Sequence, residues 1–164
     1  MKYFETCYIV NKPIDEVFDV LINIPLLHER VGIFGDAYVT ENDFSKDQVG
    51  KEYSLVNSHG DIKVRCILKL EKIDKPFKYK LSYSYETKDE NGNIEEGCSF
   101  IPWDTMACSV SLNNQGNQTS VTTIMYANGV STFFGKLTTK VIGVVNYFQQ
   151  QKYNKRIVSY INGN

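Results

Sequence analysis

The sequence predicts one α+β domain, a curved seven-stranded antiparallel sheet around a long C-terminal helix, with two short helices after strand 1. Three observations carry this prediction. A strand-like alternation at residues 2–10 passes through Pro13 into a helical pattern; residues 37–128 then keep a period of two; and the chain beyond Ser131 returns to helical spacing.

Length and composition agree with a globular domain covering residues 1–164. A chain of 164 residues can bury roughly two thirds of its unfolded surface in one core. Its 42% hydrophobic and 23% charged residues exclude the disordered class. Eleven tyrosines and nine phenylalanines favour strands, and a tyrosine hydroxyl needs a partner when buried. Eighteen Lys and Arg against nineteen Asp and Glu leave a formal charge of −1, so no global field draws the chain to nucleic acid. The opening residues lack the basic start and apolar run of a secretory signal, and no apolar run reaches the roughly 20 residues of a membrane span. The expectation is a cytoplasmic protein without an integral membrane segment.

Each element has its own signal. Residues 2–10 alternate, and Asn11, Lys12 and Pro13 punctuate them. Pro13 suits the first helical position, Asp15 and Glu16 complement a helix N-terminus, and Val17, Phe18, Leu21 and Ile22 follow at helical spacing, which predicts a helix over 13–23. Pro25 restarts the chain, residues 26–30 make one more helical turn, and Gly32 and Gly35 end it. Strands are predicted at 37–42 and 51–57, with Ser58, His59, Gly60 and Asp61 as a hairpin turn.

In 62–70, Ile62, Val64, Cys66, Leu68 and Leu70 alternate with Lys63, Arg65, Ile67 and Lys69, so the first set is predicted to be buried. Phe77, Tyr79, Leu81, Tyr83 and Tyr85 repeat the pattern, giving a nearly all-aromatic inward face. Residues 89–93 are a turn signal, 97–113 a strand interrupted near Pro102, and 119–127 the last strand. Ser131 is then the expected N-cap of a helix reaching about residue 161, with Phe134, Leu137, Val141, Val144, Val145 and Phe148 as its apolar face. Gln149, Gln150, Gln151 and Lys152 interrupt that face, which predicts a kink or a change of packing partner.

The segment Tyr8, Ile9, Val10, Asn11, Lys12, Pro13, Ile14, Asp15, Glu16, Val17, Phe18 resembles the start of the helix-grip superfamily, in which a strand passes through a polar turn with proline into a helix carrying Val-Phe. That superfamily, SRPBCC, joins START-type lipid carriers, birch-pollen-allergen-like plant proteins and polyketide cyclase/dehydrase-like proteins. The order of elements extends the resemblance over nearly the whole chain. It implies a cavity between sheet and terminal helix that receives lipids, sterols, aromatic polyketides or hormones. Gly135 and Gly143 fit this, because each costs a helix about 1 kcal/mol relative to Ala and such a cost usually has a packing or functional reason.

The candidate ligand-binding residues are Tyr53, Leu68, Leu81, Tyr83, Tyr85, Trp103, Phe134, Leu137 and Val141. Tyrosine hydroxyls and the Trp103 indole can orient a ligand within an apolar pocket; core packing with each polar tip satisfied is the plainer alternative. Phe134, Leu137, Val141 and Val145 are expected to face the sheet on either reading.

No catalytic residue is assigned. His28, at the end of the second helix, is a gate or acid–base group against a solvated cap, and His59 is a turn residue. Asp104 is an acid–base candidate if it points into the cavity, and otherwise a turn residue. Cys7, Cys66, Cys98 and Cys108 lack metal or redox spacing and are expected to be reduced, mostly buried thiols. No phosphate loop, nucleophile elbow or paired carboxylates occur, so neither a cofactor nor a metal is expected. Lys63, Arg65, Lys69, Lys78 and Lys80 form a basic stripe, read as solvated strand faces before a membrane patch. Three functions compete: a carrier or sensor of a small hydrophobic ligand, a polyketide cyclase or dehydratase, and a co-chaperone-like protein whose outer surface binds a protein partner.

Overall fold

The computed structural model describes residues 1–59, 62–88, 94–96 and 102–163. The elements follow in the order β1 (Lys2–Val10), α1 (Ile14–Leu21), α2 (Ile24–Val31), β2 (Tyr38–Asn42), β3 (Glu52–His59), β4 (Ile62–Asp74), β5 (Lys78–Lys88), β6 (Ile94–Glu96), β7 (Thr105–Asn114), β8 (Thr119–Asn128) and α3 (Phe133–Asn162). Seven strands make one antiparallel sheet in the order β1-β8-β7-β5-β4-β3-β2, and the short β6 pairs with β5. The expected architecture is present.

Period-two patterning sets the register. Leu68 stands opposite Tyr53 on one side and Tyr83 on the other, while Leu81 pairs with Leu70 and Cys108. Directly paired residues project to the same face, so these apolar and aromatic side chains form one inner surface. The other face carries Arg65, which reaches the Glu41 carboxylate, Glu86 at 3.1 Å and the Ser54 hydroxyl at 3.2 Å. Lys69 lies 3.9 Å from Glu52, so part of the basic stripe is paired along the sheet.

The helices cover the inner face. Val17, Phe18 and Leu21 of α1 and Leu27 of α2 join Leu55, Leu68, Leu70, Leu81 and Val121 in the main core, which Ile157 of α3 completes. A second cluster holds Tyr3, Phe4, Trp103, Met106 and Ala127. Gly32 closes α2 in the left-handed conformation, φ 68°, which glycine adopts without steric cost.

Several expectations need correction. Pro13 is the residue before α1, not its first, and α2 begins at Ile24 with Pro25 in its opening turn. β4 continues to Asp74 past an irregularity between Leu70 and Lys72. Phe77 is not part of the inward aromatic face: it sits in the turn before β5 and is 55% exposed. β7 starts at Thr105, and the expected strand over 97–101, the turn at 89–93 and Cys98 lie outside the described residues, as do Gly60 and Asp61.

The C-terminal helix departs most. Its cap is Thr132, whose hydroxyl accepts from the Gly135 amide at 2.9 Å, rather than Ser131. The helix runs unbroken for 30 residues, about 45 Å. Phe134, Leu137, Val141 and Val145 do not face the sheet; they are exposed. The side turned inward carries Thr139, Gly143, Asn154 and Ile157, all buried. Small and amide side chains let α3 approach β1 closely, a contact the apolar side is too bulky to make.

Candidate functional site

Between the inner sheet face, α2 and the middle of α3 lies a cavity of about 420 Å³. The sheet supplies its aromatic and apolar wall: Tyr79, Leu81, Tyr83 and Tyr85 from alternate positions of β5, with Met106 and Cys108 from β7 and Met125 from β8. Because β5 is a central strand, its inward tyrosines reach the middle of the space. β1 adds Tyr3, Phe4 and Tyr8, and α2 adds Ile24 and Leu27. The helix supplies the polar side, with Asn146, Gln149, Gln150 and Tyr153. Asn57 and Gln149 are exposed as well as lining, and they mark the opening.

Three of the expected ligand-binding residues, Leu81, Tyr83 and Tyr85, line this space. Tyr53 and Leu68 are buried beside it in the main core; Tyr53 packs with ring centroids 6.0 Å from His28 and 6.4 Å from Phe34. Trp103 belongs to the second cluster, 5.1 Å from the Tyr3 ring, so Tyr3 stands between the indole and the cavity. Phe134, Leu137 and Val141 lie on the solvent side of α3. Asp104 is exposed and does not line the cavity; its amide donates to the Asn128 carbonyl of β8 at 3.0 Å.

The electrostatics of the wall follow from burial. Desolvation pushes the Cys66 and Cys108 thiols up to about 12, with a hydrogen bond from Tyr83 partly opposing it at Cys108. Tyr3 is likewise raised to about 12 by burial, offset in part by its hydrogen bond with Asn146. Tyr8, Tyr79 and Tyr83 are raised further by the same desolvation. At neutral pH these groups are protonated hydrogen-bonding groups, not bases. Tyr79 donates to the Leu21 carbonyl at 3.0 Å, and the Asn146 amide donates to the Tyr3 hydroxyl. No carboxylate, amine, guanidinium or imidazole lines the cavity among the described residues.

The polar helix face went unrecognised in the sequence. Thr139, Gly143, Asn146, Gln150, Asn154 and Ile157 recur at three- and four-residue steps and so share one side of α3. That spacing was the available signal. The amide run at 149–151 interrupts the apolar stripe because part of it borders the cavity, not because the helix bends.

No group of three or more His, Cys, Asp or Glu side chains among the described residues could hold a metal ion. Cys7, Cys66 and Cys108 are free thiols. No described helix is long and apolar enough to cross a membrane.

No family model matches the chain, and no curated protein matches it. Solved structures match over nearly its whole length. A protein from Arthrobacter aurescens is similar with a TM-score of 0.67 at 13% identity, covering 98% of this chain and 86% of that one. Ara h 8.0201 is similar with a TM-score of 0.63 at 12% identity, covering 98% and 97%. A conserved protein from Geobacillus kaustophilus gives 0.60 at 16% identity, covering 96% and 93%. At such identities the likeness is one of fold, and that fold is the helix grip.

Proposed function

We propose that this chain, as a member of the SRPBCC superfamily, binds a small hydrophobic molecule in the cavity between β5 and α3, as a carrier or sensor. The observation that carries the reading is the cavity of about 420 Å³, walled by tyrosines and aliphatic side chains with no charged group among the described residues. It falls within the roughly 300–1,000 Å³ of small-molecule sites, and apolar walls with a few placed polar groups are their usual composition. Leu81, Tyr83 and Tyr85 hold the apolar body, while Tyr53 and Leu68 support that wall from the core. The amides of Asn57, Asn146 and Gln149 meet a hydroxyl or carbonyl of the ligand at the opening. Fatty acids, sterols and aromatic polyketides are the classes to test.

A cyclase or dehydratase needs a group that takes up a proton near neutral pH. The described wall offers thiols and phenols held protonated by burial, so binding is favoured over proton transfer. Native mass spectrometry of protein purified from its own host tests the proposal. A non-covalent adduct of lipid or polyketide mass is expected; a bare chain that none of the three classes stabilises against heating overturns the proposal.

A further inference from the structure

The first half of α3 turns its apolar side to solvent. Phe133, Phe134, Leu137, Val141, Val145 and Phe148 are each more than half exposed. At 3.6 residues per turn they fall within about a third of the helix circumference, along about 22 Å of its length. Thr139 and Gly143, which are buried, lie on the opposite side. Contiguous apolar patches on this scale mark interaction surfaces.

Charge decides what meets this one. Lys136 and Lys140 flank the stripe, and Lys152 and Lys155 continue its line toward the C-terminus. Asp104 is the last acidic residue in the sequence, so α3 carries five Lys and Arg side chains and no carboxylate. None of those five forms a salt bridge among the described residues. A second copy meeting this face across a two-fold axis brings the same cations and no carboxylate to pair with them. A bilayer with anionic headgroups satisfies both parts, because the phenylalanines enter the acyl boundary while the lysines stay among the headgroups.

We propose that residues 133–148 of α3 dock on an anionic lipid surface, with the helix lying in the interface plane. Gln149 at the cavity opening follows Phe148 directly, so docking brings the opening to the bilayer. The proposal stands on the exposed face alone, whatever the cavity holds.

Vesicle flotation at physiological salt tests it, with phosphatidylcholine vesicles and with vesicles that also contain phosphatidylserine. The wild-type chain is expected to float with the anionic vesicles, and about tenfold less with the neutral ones. Val141→Glu/Phe148→Glu and Lys136→Glu/Lys140→Glu are each expected to lose most of that binding while circular dichroism shows the native fold, since all four side chains are exposed. Equal or no flotation with the two vesicle types overturns the proposal. Sedimentation equilibrium then separates a dimer covering the face from a monomer that leaves it to a protein partner. Wild-type binding that Val141→Glu/Phe148→Glu retains also overturns it, because the contact then lies elsewhere.

Discussion

Gly143 of α3 faces the backbone of Tyr3 in β1 so closely that a Cβ at residue 143 would stand 2.9 Å from the Tyr3 carbonyl oxygen and 3.3 Å from two carbons of its ring. The nearest atom belongs to the main chain of a paired strand and cannot rotate aside. Gly143→Ala gains about 1 kcal/mol of helix propensity but forces the helix off the sheet, and overpacking of this kind costs about 1–3 kcal/mol. Urea unfolding is expected to show a net loss of stability. A gain near the propensity value would mean that the contact opens freely.

Tyr79 ties β5 to the end of α1 through its hydroxyl, which donates to the buried Leu21 carbonyl. Tyr79→Phe keeps the ring and leaves that carbonyl unpaired. The expected loss is about 1–3 kcal/mol in chemical denaturation. An unchanged midpoint would show that the bond contributes nothing net.

Alkaline pH should weaken the fold through Cys108, whose folded pKa is raised by burial from 9.0 to about 12. Below pH 9 the thiol is protonated in both states, and its contribution is fully present. Between 9 and about 12 the unfolded chain releases the proton and the folded one keeps it, so stability falls by up to about 1.4 kcal/mol per pH unit for this group. Cys108→Ala is expected to flatten part of the decline measured by guanidinium unfolding. Parallel pH profiles for the two proteins would contradict the assignment.

Cys108 also borders the cavity, so Cys108→Phe places a ring inside it. Ligand affinity is expected to fall by at least about tenfold, because an occupied volume excludes the ligand's apolar body. The fold should survive, since Cys108, though part of the main core, borders the open cavity that the ring can enter. Isothermal titration beside a thermal melt separates the two effects, and unchanged affinity in a folded variant would place the ligand elsewhere.

The element order was readable because each boundary has a local cause. Pro13 and the acidic pair Asp15 and Glu16 announce α1, Gly32 ends α2, and the alternation around Leu68 and Leu81 sets which strand face is inner. The alternation of β5 puts Leu81, Tyr83 and Tyr85 on the inner face, where they border the cavity. The facing of α3 was not readable. An amphipathic pattern identifies the apolar side of a helix and says nothing of what covers it, and here Thr139, Gly143 and Asn146 form the side that fits against β1. Trp103 packs in the second cluster beside Tyr3, Met106 and Ala127, a placement set by tertiary packing rather than by period.

Methionine-methyl NMR tests the central claim most directly. The chain has three methionines; Met106 and Met125 line the cavity, while Met1 does not. Titration of methyl-labelled protein with an apolar aromatic probe is expected to shift Met106 and Met125 and give nuclear Overhauser contacts from both to the probe, with Met1 unchanged. A probe that binds while leaving Met106 and Met125 unmoved, or that contacts only Met1, would contradict a ligand between β5 and α3.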